Sequence, residues 1–179
     1  MQKPLSALLW IALVLLTSAY ILVRLDRYKS RHEEQAGYVG ERGKVFLIGY
    51  AGEQFPGIEQ SGSYLTVGCQ DMLVPAEIPV LSKRLESVLT ALMTYEPPPT
   101  GLHNTVQEKG LKFRSLREEE GKTIVFVDGE LQFGGVCDTP RFKAQLEETI
   151  RLYSPEFQIF LNDSESAYRC LGDLKGDCK

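Results

Sequence analysis

Four cysteines, Cys69, Cys137, Cys170 and Cys178, carry the best-defined chemistry in this 179-residue chain. They form no CxxC motif, and with only two histidines in the sequence they do not match a zinc-ligand pattern. Their even number favours disulfides if the domain lies in an oxidising compartment, whereas a cytoplasmic protein would keep four reduced thiols. Three pairings are open. If Cys170 and Cys178 close a local loop of seven residues, Cys69 and Cys137 would join the regions before two predicted helices.

Two histidines and three carboxylates are the remaining candidates for chemistry. His32 lies in a charged segment, and His103 lies in a polar loop, 100–110, with no nearby carboxylate or cysteine motif. Catalysis by proton transfer or by a nucleophile needs groups that converge. Only Glu77, Asp128 and Asp138 stand near the ends of predicted elements. The sequence therefore predicts no catalytic, cofactor-binding or metal-binding residues, and we expect a protein that is not an enzyme.

The charge balance excludes one class of partner. The chain has 20 Lys and Arg residues against 24 Asp and Glu residues, a formal net charge of −4. Nucleic-acid-binding domains usually carry a basic surplus on one surface. We therefore expect no nucleic-acid partner.

Hydrophobic spacing predicts a small domain from residue 44 onward. Strands are predicted at residues 44–50, 111–116, 123–127 and 156–161, with weaker extended segments at 63–67 and 72–74, and helices at 79–95 and 139–153. Gly134 and Gly135 indicate a tight connection, after which Thr139 and Pro140 form a typical helix start. Two helices, each with one apolar face, can cover one side of a small sheet. The predicted fold class is α+β: a small mixed β-sheet with two helices packed on one face, in the order strand-helix-strand-strand-helix-strand.

The amino-terminal segment predicts a membrane anchor. Residues 4–23 carry no charge, and about 20 residues make a helix of about 30 Å, enough to cross a bilayer core. A cleaved signal peptide is the alternative. We predict a transmembrane signal anchor at 1–23, a juxtamembrane linker at 24–43, a folded domain at 44–163 and a tail with a local disulfide at 164–179.

Two observations disagree about the orientation of this anchor. Arg24, Arg27, Lys29 and Arg31 follow the apolar segment, and the positive-inside rule would keep that side in the cytoplasm. Disulfides place the domain on the opposite side. We give the cysteines more weight and expect the domain to lie outside the cytoplasm.

Several short motifs follow one another in the predicted domain. They are Cys69 with Leu73-Val74-Pro75, Gly101-Leu102-His103 with Gly110-Leu111, Val127-Asp128 with Gly134-Gly135-Val136-Cys137 and Arg141, and a last strand at 157–161. In order and spacing they resemble the GerMN domain of bacterial sporulation and germination proteins. Ile78 and Gln107 depart from it, since the family has arginine and proline there. The resemblance implies an α+β envelope domain without enzymatic activity, in which Cys69 and Cys137 pair.

The expected function follows from the anchor and the resemblance together. We expect a non-enzymatic domain, anchored by its amino-terminal helix in the bacterial cell membrane as a single-pass protein, that binds an envelope protein or a cell-wall component such as peptidoglycan. A sporulation or germination role is implied by the resemblance alone. The alternatives are a cell-wall hydrolase and a cytoplasm-facing, membrane-anchored regulator. The oligomeric state stays open.

Overall fold

The computed structural model describes residues 40–53, 64–99 and 101–172, all within a unit that begins at Gly40. Its strands are β1 (Glu41–Gly49), β2 (Leu65–Val67), β3 (Asp71–Val80), β4 (Leu102–His103), β5 (Lys112–Glu119), β6 (Lys122–Asp128) and β7 (Phe157–Leu161). Its helices are α1 (Leu85–Leu92), α2 (Thr105–Glu108), α3 (Asp138–Arg151) and α4 (Glu165–Arg169), and a short 3₁₀ turn spans Gly68–Gln70.

The strands form two sheets, so the prediction of one small mixed sheet is wrong. The first sheet is antiparallel, with the order β2-β3-β1-β4. The second has the order β5-β6-β7, in which β5 and β6 form an antiparallel hairpin and β6 runs parallel to β7. The described residues also contain four α-helices, not the two that were predicted.

Helix α3 explains why the two sheets do not merge. The backbone N–H of Phe46 donates to the hydroxyl of Thr149 over 3.0 Å, and the hydroxyl of Tyr153 donates to the carbonyl of Lys44 over 2.9 Å. Lys44, Phe46 and Ile48 alternate along β1, so their backbone groups face one edge, which β4 occupies only from Ile48 onward. Thr149 of the helix and Tyr153, just beyond its end, satisfy one N–H and one carbonyl of the part of this edge that β4 leaves open.

Strand β3 also differs from the prediction. It runs from Asp71 to Val80 and pairs with β1 from Met72 to Val80, although it contains Pro75 and Pro79. Strand β2 covers β3 only as far as Leu73, so both prolines lie at a sheet edge, where a missing N–H is tolerated. A helix start at residue 79 is therefore wrong, and α1 begins at Leu85.

Both sheets and α3 share one hydrophobic core. Phe142, Leu146 and Ile150 recur every four residues along α3 and are fully buried, as their spacing predicts. They pack in one cluster with buried residues of both sheets, among them Val45, Leu47, Ile78, Val125, Val127 and Ile159. The core thus fixes the start of α3 relative to β1 and β3.

A buried polar network positions the segment that carries His103. The side-chain amide of Asn104 donates to the carbonyls of Leu92 and Tyr95, over 2.6 and 2.8 Å. The side-chain carbonyl of Gln145 accepts the backbone N–H and the hydroxyl of Thr105, over 2.8 and 2.7 Å, and its amide donates to Asn104. The predicted polar loop at 100–110 is therefore wrong, because this network stabilises β4 and α2 within it.

In the part of the chain that the structure describes, no helix has the length and apolarity that a bilayer crossing requires. This finding corrects the predictions of a transmembrane helix and of a single-pass membrane location. The predicted anchor at 1–23, most of the predicted linker, and His32 lie outside the described residues. The folded part begins slightly earlier than predicted, at the first residue of β1, and α4 lies in the predicted tail.

Replacing Thr149 with valine tests the edge contact of α3. The buried hydroxyl is the acceptor for Phe46 N–H, and an unpaired buried N–H costs about 1–3 kcal/mol. We expect Thr149→Val to lower the free energy of unfolding by that amount in urea denaturation. Thr90→Val is the matched control, because Thr90 is exposed on α1 and should change stability by less than about 0.5 kcal/mol. Equal effects of the two substitutions would contradict the edge contact.

Candidate functional site

Three side chains from different elements meet at one end of the first sheet. Tyr50 follows β1 and His103 ends β4, and because these strands pair, their rings stack with centroids 3.9 Å apart and planes 14° from parallel. The guanidinium carbon of Arg141, in α3, lies 4.3 Å from the centroid of the Tyr50 ring. We call Arg141, Tyr50 and His103 the aromatic cluster. Cation–π contact and ring stacking give it a defined geometry.

Asp71 holds the aromatic cluster in place through Arg141. Its carboxylate accepts the Nε–H of Arg141 over 2.5 Å and the backbone N–H of Ala51 over 2.9 Å. The side chain of Asp71 is 2% exposed and that of Arg141 is 18% exposed. A charge this deeply buried is stable only when it is paired and hydrogen-bonded. The bond to Asp71 also raises the pKa of Arg141, so the guanidinium stays charged.

Asp138 gives Arg141 a second acidic neighbour at the start of α3. Its carboxylate accepts hydrogen bonds from Lys109 Nζ at 2.8 Å and from the backbone N–H of Gly134 at 2.9 Å, and lies 3.7 Å from Arg141 Nη1. The bond from Lys109, and then that from Gly134, holds the pKa of Asp138 below its usual range. The predicted cap at Thr139 is therefore wrong, since α3 begins at Asp138 and the connection at Gly134 bonds to it.

Two carboxylates flank the His103 ring. Glu53 Oε2 lies 3.2 Å from Nε2, and Glu108 Oε1 lies 3.7 Å from Nδ1. The side chain of His103 is 31% exposed and that of each glutamate is 44% exposed. His103, Glu53 and Glu108 therefore form the solvent-facing side of the site, which we call the rim. The expectation of a histidine without a nearby carboxylate is wrong. Burial, followed by the charge of Glu108, raises the pKa of Tyr50, whose phenol stays protonated at neutral pH.

A disulfide between Cys69 and Cys137 lies beside this site, which confirms the predicted pairing of these two cysteines. It joins the 3₁₀ turn before β3 to the residue that precedes α3. Closing a loop of 68 residues stabilises a fold by about 4 kcal/mol in the chain-entropy model. Cys170 is also disulfide-bonded, whereas Cys178 lies outside the described residues, so a bond between these two stays a prediction.

The structure does not bring the three carboxylates of the sequence analysis together. Asp138 belongs to the site described above. Asp128 lies 3.6 Å from Arg114 at the end of β6, and Glu77 stands opposite Lys44 within the first sheet. Among the described residues, no group of three or more His, Cys, Asp or Glu side chains could hold a metal ion. A cleft of about 380 Å³ is lined by residues 122, 151 and 155–158 and by none of the aromatic cluster.

Sequence reasoning missed Tyr50, Asp71 and Arg141 as members of a site. One signal could have found two of them. Asp71 follows Cys69 by two residues, and Arg141 follows Cys137 by one helical turn. A disulfide between those cysteines therefore places an acidic and a basic side chain close together.

Comparison of the chain with models of protein families, with curated proteins and with solved structures finds no match. The resemblance to the GerMN domain stays a prediction.

Replacing Asp138 with asparagine should reveal the charge contacts of this carboxylate as a pH effect. A carboxylate whose folded-state pKa is depressed adds stability above its unfolded pKa of about 4, and this stability is lost as the pH falls through the folded value. We expect Asp138→Asn to cost about 1 kcal/mol at pH 7, because the side chain is partly exposed, and almost nothing at about pH 2. Urea denaturation across this range measures the difference.

The control for this experiment is Glu130→Gln, which alters an exposed carboxylate that makes no ion pair in the described part of the chain. It should change stability little at any pH. A cost of Asp138→Asn that is the same at pH 7 and in acid would show that the lost charge is not responsible.

Proposed function

We propose that the folded unit is a non-enzymatic recognition domain of the bacterial cell envelope, and that it binds a partner protein through a basic side chain. One observation carries this proposal. Glu53 and Glu108 approach the two nitrogens of His103 and leave their carboxylates substantially exposed. A lysine or arginine of a partner could pair with these exposed carboxylates and lie against the half-buried rings of His103 and Tyr50.

Rigidity behind the rim supports a binding role. The Asp71–Arg141 pair holds Tyr50 from one side, and the buried network of Asn104 and Gln145 holds the segment that carries His103. A surface that is already ordered loses little conformational entropy when a ligand binds. The net charge of −4 further favours a basic partner, because complementary charge speeds association.

The hydrogen-bond pattern favours recognition over catalysis. Asp71 is engaged by Arg141 and Ala51, and Asp138 by Lys109 and Gly134. A catalytic site needs a nucleophile or base that is aimed at a substrate position. Asp71 and Asp138 are instead bonded to groups of the protein itself, which suits a preformed surface.

Two further arguments bear on the compartment. The Cys69–Cys137 disulfide favours an oxidising environment. The resemblance to the GerMN domain favours the cell envelope, and a sporulation or germination role rests on that resemblance alone.

A peptide titration tests the proposal. The full-length chain is titrated with a synthetic peptide of alternating lysine and alanine, and with a peptide of equal length in which glutamate replaces lysine. NMR signals of His103 and Ala51 should shift with the lysine peptide only. In the Glu53→Gln/Glu108→Gln variant we expect at least about tenfold weaker binding, which corresponds to about 1.4 kcal/mol.

The matched control changes two exposed glutamates of the β5–β6 hairpin, Glu119→Gln/Glu120→Gln, and should bind as the unaltered chain does. Equal loss in both double variants would mean that net charge alone attracts the peptide, which would contradict the site. Co-sedimentation with purified cell-wall sacculi, without any peptide response at His103, would favour a polymer ligand and contradict a protein partner.

A further inference from the structure

The disulfide and the buried ion pair connect the same two segments. Cys69 lies two residues before Asp71, and Cys137 lies one helical turn before Arg141, whose backbone N–H donates to the Cys137 carbonyl over 3.2 Å. The covalent bond and the 2.5 Å contact between Arg141 and Asp71 are therefore parallel links between the start of β3 and the start of α3. A change in one link alters the geometry available to the other.

The backbone beside the disulfide is under strain. Cys69 and Gln70 have φ angles of 62° and 65°, a left-handed conformation that is unfavourable for two consecutive residues with side chains. Gly68 is pressed against α3, since a Cβ atom there would lie 2.7 Å from Pro140 Cβ. The disulfide holds this turn in place, so the turn can relax when the bond is broken.

The disulfide can also be reached by a reductant. Cys69 is exposed, whereas Cys137 is half-buried at the amino-terminal end of the 14-residue helix α3. An incoming thiolate would attack the sulfur of Cys69, the more exposed of the two residues, and the leaving thiolate would form at Cys137. The positive end of the helix dipole favours that leaving group.

We propose that the Cys69–Cys137 disulfide is a redox switch that sets the alignment of the aromatic cluster. A dithiol reductant attacks Cys69 Sγ and forms a mixed disulfide, and the released Cys137 thiolate takes up a proton. The second thiol of the reductant then attacks the mixed disulfide, so that Cys69 leaves as a thiol and the reductant becomes a cyclic disulfide. Two electrons and two protons pass to the protein. The turn relaxes and Asp71 moves away from Arg141. The guanidinium then no longer holds the Tyr50 ring, and the stacking of Tyr50 on His103 is weakened.

The switch acts on the surface that is proposed to bind a basic partner, and its biological consequence rests on that proposed function. The structural effect of reduction can be measured whether or not the surface binds a partner. The backbone N–H of Ala51 donates to Asp71 Oδ1, so exchange of this amide with solvent reports the position of Asp71. The stacked His103 ring reports the cluster through the ring-current shift from Tyr50.

The test uses the full-length Cys170→Ser/Cys178→Ser chain, in which Cys69 and Cys137 are the remaining cysteines. The protein is equilibrated with reduced and oxidised dithiothreitol at constant pH, and thiols are counted by alkylation and mass. On reduction, amide exchange of Ala51 should accelerate at least about tenfold, and the His103 signal should lose its ring-current shift. Both changes should follow the thiol count and reverse on oxidation.

The buried amide of Thr105, which donates to Gln145, is the internal control and should keep its protection. If Ala51 and His103 do not respond when both thiols are free, the disulfide is only a structural link and the switch is refuted. Loss of protection at Thr105 together with Ala51 would show general unfolding and refute it as well. The Cys69→Ser/Cys137→Ser substitutions in the same background should reproduce the amide exchange and the His103 signal of the reduced state. Neither measurement should then change when dithiothreitol is added.

The same samples separate the switch from the proposed function. Failure of the lysine peptide to bind either redox state, with a normal response at Ala51, would refute the recognition role and support the switch. Peptide binding that is at least about tenfold weaker after reduction would support both.

Discussion

The ion pair between Arg141 and Asp71 is the contact on which the site depends. It fixes a guanidinium against Tyr50, and through Tyr50 it supports the stacked ring of His103. Asp71 is almost fully buried, and an isolated charge there would be strongly unfavourable. With the Cys69–Cys137 disulfide formed, the fold therefore favours the arrangement in which Arg141 and the N–H of Ala51 both face the carboxylate.

Helix α3 joins this site to the rest of the protein. Its apolar face packs in the core that both sheets share, while Gln145 and Thr149 on the same helix accept hydrogen bonds from the α2 segment and from β1. Polar side chains at such positions are favourable only where their partners are in place. The helix thus has a specific depth and rotation, and these bring Arg141 to Asp71 within hydrogen-bond distance.

Local patterns predicted the parts of the fold that depend on neighbouring residues. The spacing of Phe142, Leu146 and Ile150 identified α3, and short runs of β-forming residues identified β1, β6 and β7 within a few residues. The prediction of one sheet was wrong, because the partner of the free edge of β1 is a helix side chain about 100 residues away in sequence, Thr149. Hydrophobic periodicity contains no information on such a partner. Only residues 72–74 of the long strand β3 were predicted as extended, since its prolines are acceptable only at an edge that β2 leaves open.

The site itself was less predictable than the fold. His103 was predicted in a polar loop, whereas it ends strand β4, and its partner Glu53 is 50 residues distant. Arg141 is likewise 70 residues from Asp71. Such contacts follow from strand pairing and helix packing. Cys69 and Cys137 were the exception, because a predicted disulfide identifies two distant segments that lie close together in the fold. The Cys69–Cys137 bond, which lies beside the site, is the long-range contact that the sequence analysis predicted.

A double-mutant cycle between Asp71 and Arg141 tests the central claim most directly. Free energies of unfolding are measured for Asp71→Asn, Arg141→Gln and the double variant at pH 7, in protein with its disulfides intact. We predict that each single substitution costs about 3 kcal/mol and that the double variant costs little more, a coupling energy of at least about 1.5 kcal/mol. Single costs that add to within about 0.5 kcal/mol would show that the two charges do not stabilise one another, and would contradict the role given to this pair.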